Sequence, residues 1–152
     1  MAIQPYSMNA NGKAKIVDSL SHAQAMALQG VKNQDFRFKI IAENLSNSDS
    51  TAPKAGGDPY RRKQVIFEQM NDPNLGVSTV QVKSVVGDKT EFHQEYDPGH
   101  PAADDKGMVK KPNVNRVLET MDMMTAKNTQ KALLKLYAEG TSMRRLQLDL
   151  MR

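Results

Sequence analysis

Two stretches of chain, one near each end, repeat their apolar residues at alternating steps of three and four, the spacing of a helix that must be covered along one side. The first runs from about Ser19 to Leu45, with Leu20, Ala27, Val31, Phe38, Ile41 and Leu45 along its stripe and Gln24 and Gln34 interrupting it. The second runs from about Val114 to Met151, and its apolar positions are Val117, Met121, Met124, Leu133, Leu136, Met143, Leu146 and Leu150. Between them lies a turn-rich, strand-like segment too thin to supply both helices with a core. Cover for the stripes therefore has to come from other helices, and the spacing points to an assembly protein.

The rest of the composition narrows the field. With 39% apolar residues, four Phe, four Tyr and no Trp, 152 residues cannot build a large aromatic core, and ten Met supply adaptable filling where helices meet varied partners. The absence of Cys removes disulfides, thiolate zinc sites and cysteine nucleophiles. A net charge of +4 and a pI near 9.3 would suit nucleic acid, yet the cations are spread along the chain except at Arg61, Arg62 and Lys63. No apolar run approaches a membrane span, so no direct membrane insertion is expected, and Met1 to Asn11 lack the apolar region of a secretory signal. Residues 1–18 read as a flexible extension, either a plain tail or an uncleaved leader for export.

Gly30 weakens the first helix, leaving Val31 to Leu45 as its firmer part. Asn44, Asn47 and the residues around them mark its end, with Asn suited to a left-handed cap, and Thr51 to Gly57 form a loop. Strands are expected at Tyr60 to Phe67, Val77 to Val86 and Thr90 to Tyr96, the last two joined as a hairpin at Gly87 and Asp88. Pro98, His100 and Pro101, with Gly107 beyond them, make a rigid bend. Met108 to Lys110 is a further short strand, and Asn113 caps the second helix. The fold class is thus α+β: long terminal helices, 19–47 and 113–152, pair as one coiled-coil-like assembly domain around a small, mainly antiparallel β region at 48–112.

No catalytic, cofactor or metal site emerges. His22, His93 and His100 lack further ligands at a metal-binding spacing, and Asp97, Asp104 and Asp105 suit turn chemistry better than cation binding. Gly56 and Gly57 lack the spacing of a phosphate loop. Tyr60, Arg61, Arg62, Lys63 and Gln64 form the one concentrated basic patch; it can meet phosphate or an acidic face of a neighbour, or simply protect a strand edge.

Three strings carry a resemblance. Ile40 to Asn47, followed by Thr51, is similar to a helix ending in N-L-A-N with a nearby Thr, with Ser46 in place of Ala. Gly57 to Phe67 follows G-x-P-Y-R-x-K-Q-V-x-F, and Tyr96 to Val114 follows Y-x-P-x-x-P-x-A-x-x-x-G-Y-V-x-x-P-N-V, with Met108 in place of Tyr. Together they resemble the bacterial flagellar basal-body rod proteins, proximal-rod FlgC type, over about Gly30 to Arg152. The family's start falls near Gln29, so Met1 to about Leu28 reads as an addition, and Ala126 to Ala132 lacks the family's aromatic residue.

The resemblance implies a structural subunit of the proximal rod, without catalysis. It would polymerise with other rod proteins and copies of itself into the torque-transmitting shaft at the basal body, delivered by the flagellar type III export apparatus without signal cleavage. Expected contacts are Val31, Gln34, Phe38, Ile41 and Leu45 on the first helix, the Tyr60 to Gln64 motif, and the apolar stripe of the second. The alternative from another class is a basic nucleic-acid-binding module using Arg61, Arg62 and Lys63.

Overall fold

The computed structural model describes the backbone of residues 12–72 and 77–150 and the side chains of 19–71 and 78–150. Met1 to Asn11 of the expected tail, and Met151 and Arg152 at the end of the second expected helix, lie outside the described residues. Two long helices frame the chain, α1 over Gly12–Ser46 and α2 over Arg116–Asp149. The first starts well ahead of Ser19, because Lys13, Ala14, Lys15 and Ile16 contain no breaker to stop a helix already nucleated further along. Residues 12–18 are accordingly helical rather than part of a loose tail.

The helices run antiparallel. Gln24 Nε2 donates to Thr141 Oγ1 at 3.1 Å, Gly30 lies opposite Leu133, Gln130 bonds Asp35, and Asn44 meets Glu119. Gly30 does not interrupt α1. A Cβ there would sit 2.9 Å from Leu133 Cδ1, so the missing side chain is the seat for Leu133, and the packing offsets the helix-propensity cost. Gly140 repeats the device from the other side, where a Cβ would lie 3.0 Å from Gln24 Cγ.

Glu119, Leu133 and Gly140 meet α1, with Asp122, Gln130 and Thr141 bonded to it beside them; Ala126, buried, and Gln147, half-buried, fall on the same seven-residue spacing as the first three. On α1, Ala27, Val31, Ile40, Ile41 and Asn44 are buried, Gln34 and Leu45 half-buried, and Phe38 is exposed. Small residues let the backbones approach, so the pair closes with little large-residue core; the largest fully buried side chains are Glu119, Val109 and Asn44. The α2 stripe expected from the sequence is split by this arrangement. Leu133 joins the contact, whereas Val117, Met121, Met124, Leu136, Met143, Leu146 and Leu150 remain exposed on the other side.

The strands are β1, Lys63–Asp72, β2, Val77–Gly87, β3, His93–Tyr96, and β4, Met108–Lys111. β1 pairs antiparallel with β2, with an irregularity between Ile66 and Phe67, and β3 pairs antiparallel with β4. The expected hairpin of Val77–Val86 with Thr90–Tyr96 is therefore incorrect, since each of those segments takes another partner. The β1–β2 ribbon lies along α1, fastened by polar hooks: Asn33 Nδ2 donates to the Val80 carbonyl at 2.6 Å and Asn44 Nδ2 to the Lys63 carbonyl at 2.9 Å. Ala52, Ala102 and Val109 form a small separate core under the loops.

Two helix ends also differ from expectation. The cap of α2 is Asn115, whose side chain accepts from Val117 N at 3.0 Å and Leu118 N at 3.2 Å, while Asn113 is engaged elsewhere. No described non-glycine residue has positive φ, so α1 does not end in a left-handed Asn. Instead several donors gather on the Glu43 carbonyl at the helix end, Asn47 Nδ2 at 2.9 Å, Ser46 Oγ at 3.0 Å and Asn47 N at 3.2 Å. Thr51 lies half-buried past this turn.

Candidate functional site

The first candidate is the junction where α1, α2 and the start of β1 converge. Asn44, buried near the end of α1, is its hub. It donates to Glu119 Oε2 at 3.0 Å, and its Oδ1 accepts from Tyr60 OH and from Lys63 N, each at 2.9 Å. Arg62 Nε reaches Glu119 Oε1 at 2.6 Å, and its Nη1 lies 3.3 Å from Asp88 Oδ2, which Gln64 Nε2 also approaches at 2.8 Å. Lys63 pairs with Glu43, and Arg37 with Asp122 at 3.4 Å. Arg61 donates to the Asp88 and Thr90 carbonyls at 2.8 and 3.1 Å and stacks over Phe92 at 4.1 Å. Asn113 completes the clamp, accepting from Arg62 N at 2.8 Å and donating to Thr90 Oγ1 at 2.9 Å.

The titration behaviour follows from this packing. Burial opposes the charge of Arg62, but Glu119 and then Asp88 outweigh it and raise its pKa. Tyr60 is pushed up to about 12 by burial and by the charges of Glu43 and Glu119. Asp88 is held low, first by the Thr90 backbone N–H and further by Arg62, against an opposing desolvation cost. The sequence patch from Tyr60 to Gln64 thus has acceptors within its own chain, and the three cations a nucleic-acid reading needs are spoken for.

The bend is an ordered turn. Asp97 N donates to the Gly107 carbonyl at 2.9 Å, His100 N to the Asp97 carbonyl at 3.2 Å, and Ala102 N to His100 Nδ1 at 3.0 Å, while Pro98 and Pro101 face solvent. Gly107 has φ +74°, and a Cβ there would lie 3.0 Å from both Pro98 Cβ and Tyr96 Cε2. Asp104 Oδ1 accepts from Lys106 N and Met108 N, each at 2.9 Å, and these bonds depress its pKa. Its carboxylate is used by the turn. Among the described residues no cluster of His, Asp and Glu is placed to hold a metal.

The second candidate is the outer face of α2. Val117 is 70% exposed, Leu146 64% and Leu150 88%, and Met121, Met124, Leu136 and Met143 complete a row running most of the helix's length. Single exposed apolar residues are ordinary on a protein surface, whereas a row this extensive is not. Phe38 on α1, at 40% exposure, belongs to the same class of uncovered residue. No helix of the described residues is long and apolar enough to cross a membrane. Sequence reasoning missed the Glu119–Arg62–Asn44 network, because its members are far apart in the chain and Glu119 reads as an ordinary acidic residue of a helix's first turn.

No family model matches the chain. It is 41% identical over 136 residues to the flagellar basal-body rod protein FlgC of Agrobacterium fabrum, spanning 90% of this chain and 98% of that protein. It is 40% identical over 100 residues to the protein of the same name in Salmonella typhimurium, spanning 65% of this chain and 73% of that one. For Borreliella burgdorferi FlgC the identity is 35% over 124 residues, 70% of this chain and 81% of that protein. A likeness covering 90% of this chain has to reach ahead of Gln29, so the added N-terminal stretch is shorter than Met1 to Leu28.

Proposed function

Because this chain belongs to the FlgC family of flagellar basal-body rod proteins, we propose that its helix pair polymerises through the outer face of α2 with neighbouring axial subunits, in the proximal part of the rod. It is a structural subunit of the flagellar basal body. The observation that carries the assembly reading is the row of exposed Val, Leu and Met on α2, which the chain itself leaves uncovered. Burying a Leu or Met side chain fully contributes about 1.5–3 kcal/mol, so a row of this length is a large driving force once neighbours cover it.

Each subunit meets other rod proteins and copies of itself in heterologous contacts that continue along a helical stack. Torque is shared among many modest helix contacts rather than a few strong ones. Export through the flagellar type III apparatus without signal cleavage fits a chain with no disulfide and few large buried residues, which unfolds at modest cost. The Asn44–Arg62–Glu119 junction fixes the β ribbon and loops to the helix pair, so that the helices present their outer face in one orientation.

The test is complementation of a strain lacking its own copy, with Phe38→Asp and Leu146→Asp variants. A charge placed in a desolvated helix contact is costly, so neither variant should enter purified basal bodies or restore swimming. Circular dichroism of each purified variant separates failed assembly from failed folding. A folded Leu146→Asp chain that incorporates normally would contradict the assembly reading.

A further inference from the structure

The open face of α2 is not apolar throughout. Lys127, Lys131 and Lys135, four residues apart, form one exposed row that crosses this face between Met124 and Leu136. Lys135 has a loose intrahelical contact with Glu139 at 3.8 Å, in which both side chains are largely exposed. Among the described residues no carboxylate pairs with Lys127 or Lys131. The face therefore reads apolar, basic, apolar along its length, and whatever covers its greasy ends must also lie across three cations.

We infer that the occupant of this face is an amphipathic helix of a different protein, carrying carboxylates at i,i+4 spacing opposite the lysine row, and not the α2 of a second copy. The inference rests on the rod-subunit reading and specifies the partner of that same surface. A second α2 packed here would bring its own three lysines against these, or its apolar ends against them, and like charges at close range in a drying interface are disfavoured. A second α1 does no better. Its described carboxylates, Asp35 and Glu43, lie eight residues apart rather than four, and are bonded to Gln130 and Lys63 of their own chain. On α2, Glu119 is buried with Arg62, Asp122 faces Arg37 and Arg62, Glu139 lies beside Lys135, and Asp149 stands singly in the last turn. Among the described residues neither helix of a second copy supplies a free acidic row, so the lysines select among neighbours that the apolar residues alone would accept equally.

The purified full chain is titrated with two designed helical peptides that share a Leu stripe and differ only in bearing Glu or Lys beside it. The Glu peptide is expected to bind tighter by roughly ten-fold at low salt, and the preference should reverse in the Lys127→Glu/Lys131→Glu/Lys135→Glu variant and shrink in 0.5 M salt. Sedimentation should show no self-association of the wild-type chain through this face. Equal affinity for both peptides, or wild-type dimers that Met143→Asp abolishes and the triple variant leaves intact, overturns the inference. If Leu146→Asp still blocks assembly in cells when the peptides bind equally, the rod reading stands and the charge selection alone is lost; normal incorporation of that variant removes the rod reading itself.

Discussion

Replacing Glu119 by Ala removes the one carboxylate that joins all three parts of the junction. Its side chain is 1% exposed, bonded to Arg62 Nε at 2.6 Å and Asn44 Nδ2 at 3.0 Å. Removing one partner of a buried ion pair costs about 3–5 kcal/mol when the other charge is stranded. Arg62 is not fully stranded, since it keeps 22% exposure and has Asp88 at 3.3 Å and Asp122 at 3.8 Å. Ala also returns a few tenths of a kcal/mol in helix propensity. The expected loss is therefore about 2–3 kcal/mol, or about 4–12 °C in Tm for a chain of this size. Glu119→Gln, which keeps the shape and an acceptor for one neighbour, should lose about half as much. Urea unfolding followed by far-UV circular dichroism measures both, and a double-mutant cycle with Arg62→Ala should show coupling of about 1 kcal/mol or more. A loss below about 1 kcal/mol for Glu119→Ala, or additive effects in the cycle, would refute the view that this junction ties the ribbon to the helices.

Gly107→Ala, at φ +74° and with a Cβ 3.0 Å from Pro98 and Tyr96, should cost about 1–2 kcal/mol and loosen β3–β4, read as faster amide exchange at Val109; unchanged exchange would deny the strain. Tyr60 should ionise near 12 rather than 10, visible as the ultraviolet difference between wild type and Tyr60→Phe. Because its folded pKa is raised, its contribution to stability is complete below pH 10 and is lost as pH climbs through about 12. Asp104 has the opposite sign: its pKa lies below the ordinary 3.8, so it stabilises the bend above that pH and the benefit fades as acid carries the pH through the depressed value. Asp104→Asn should flatten the acid limb of the Tm profile, and an unaltered limb would count against the backbone bonds as its cause.

The two helices were legible because a three-and-four apolar period survives any tertiary arrangement. Which stripe faces the partner helix was not. Large residues such as Met143 and Leu146 suggest an inner seam, yet α1 packs on Gly140 and the polar Glu119, and the bulky row points outward. The signal that would have found the inner face is the seven-residue spacing of Glu119, Ala126, Leu133, Gly140 and Gln147, together with Gly30 as a seat rather than a break. The ribbon was misread because Gly87 and Asp88 suggest a turn joining β2 to the strand after it, whereas β2 pairs with β1 before it and Asp88 is bonded to Arg62 and Thr90. Asn113 and Asn115 are two residues apart and equally good caps on paper; Asn113 is drawn off by Arg62 and Thr90, a choice only the folded chain makes. The basic patch was visible as a patch, but its acceptors Asp88 and Glu119 lie too far along the sequence to be paired with it by inspection.

The chain has no cysteine, so a single Met143→Cys substitution gives a unique thiol on the outer face of α2. Maleimide labelling of that variant, compared between the free chain and purified basal bodies, reads directly whether neighbours cover the face. Assembly through α2 requires rapid labelling of the free chain and strong protection in basal bodies. Equal labelling in both states, with the variant present in the basal bodies, would contradict it.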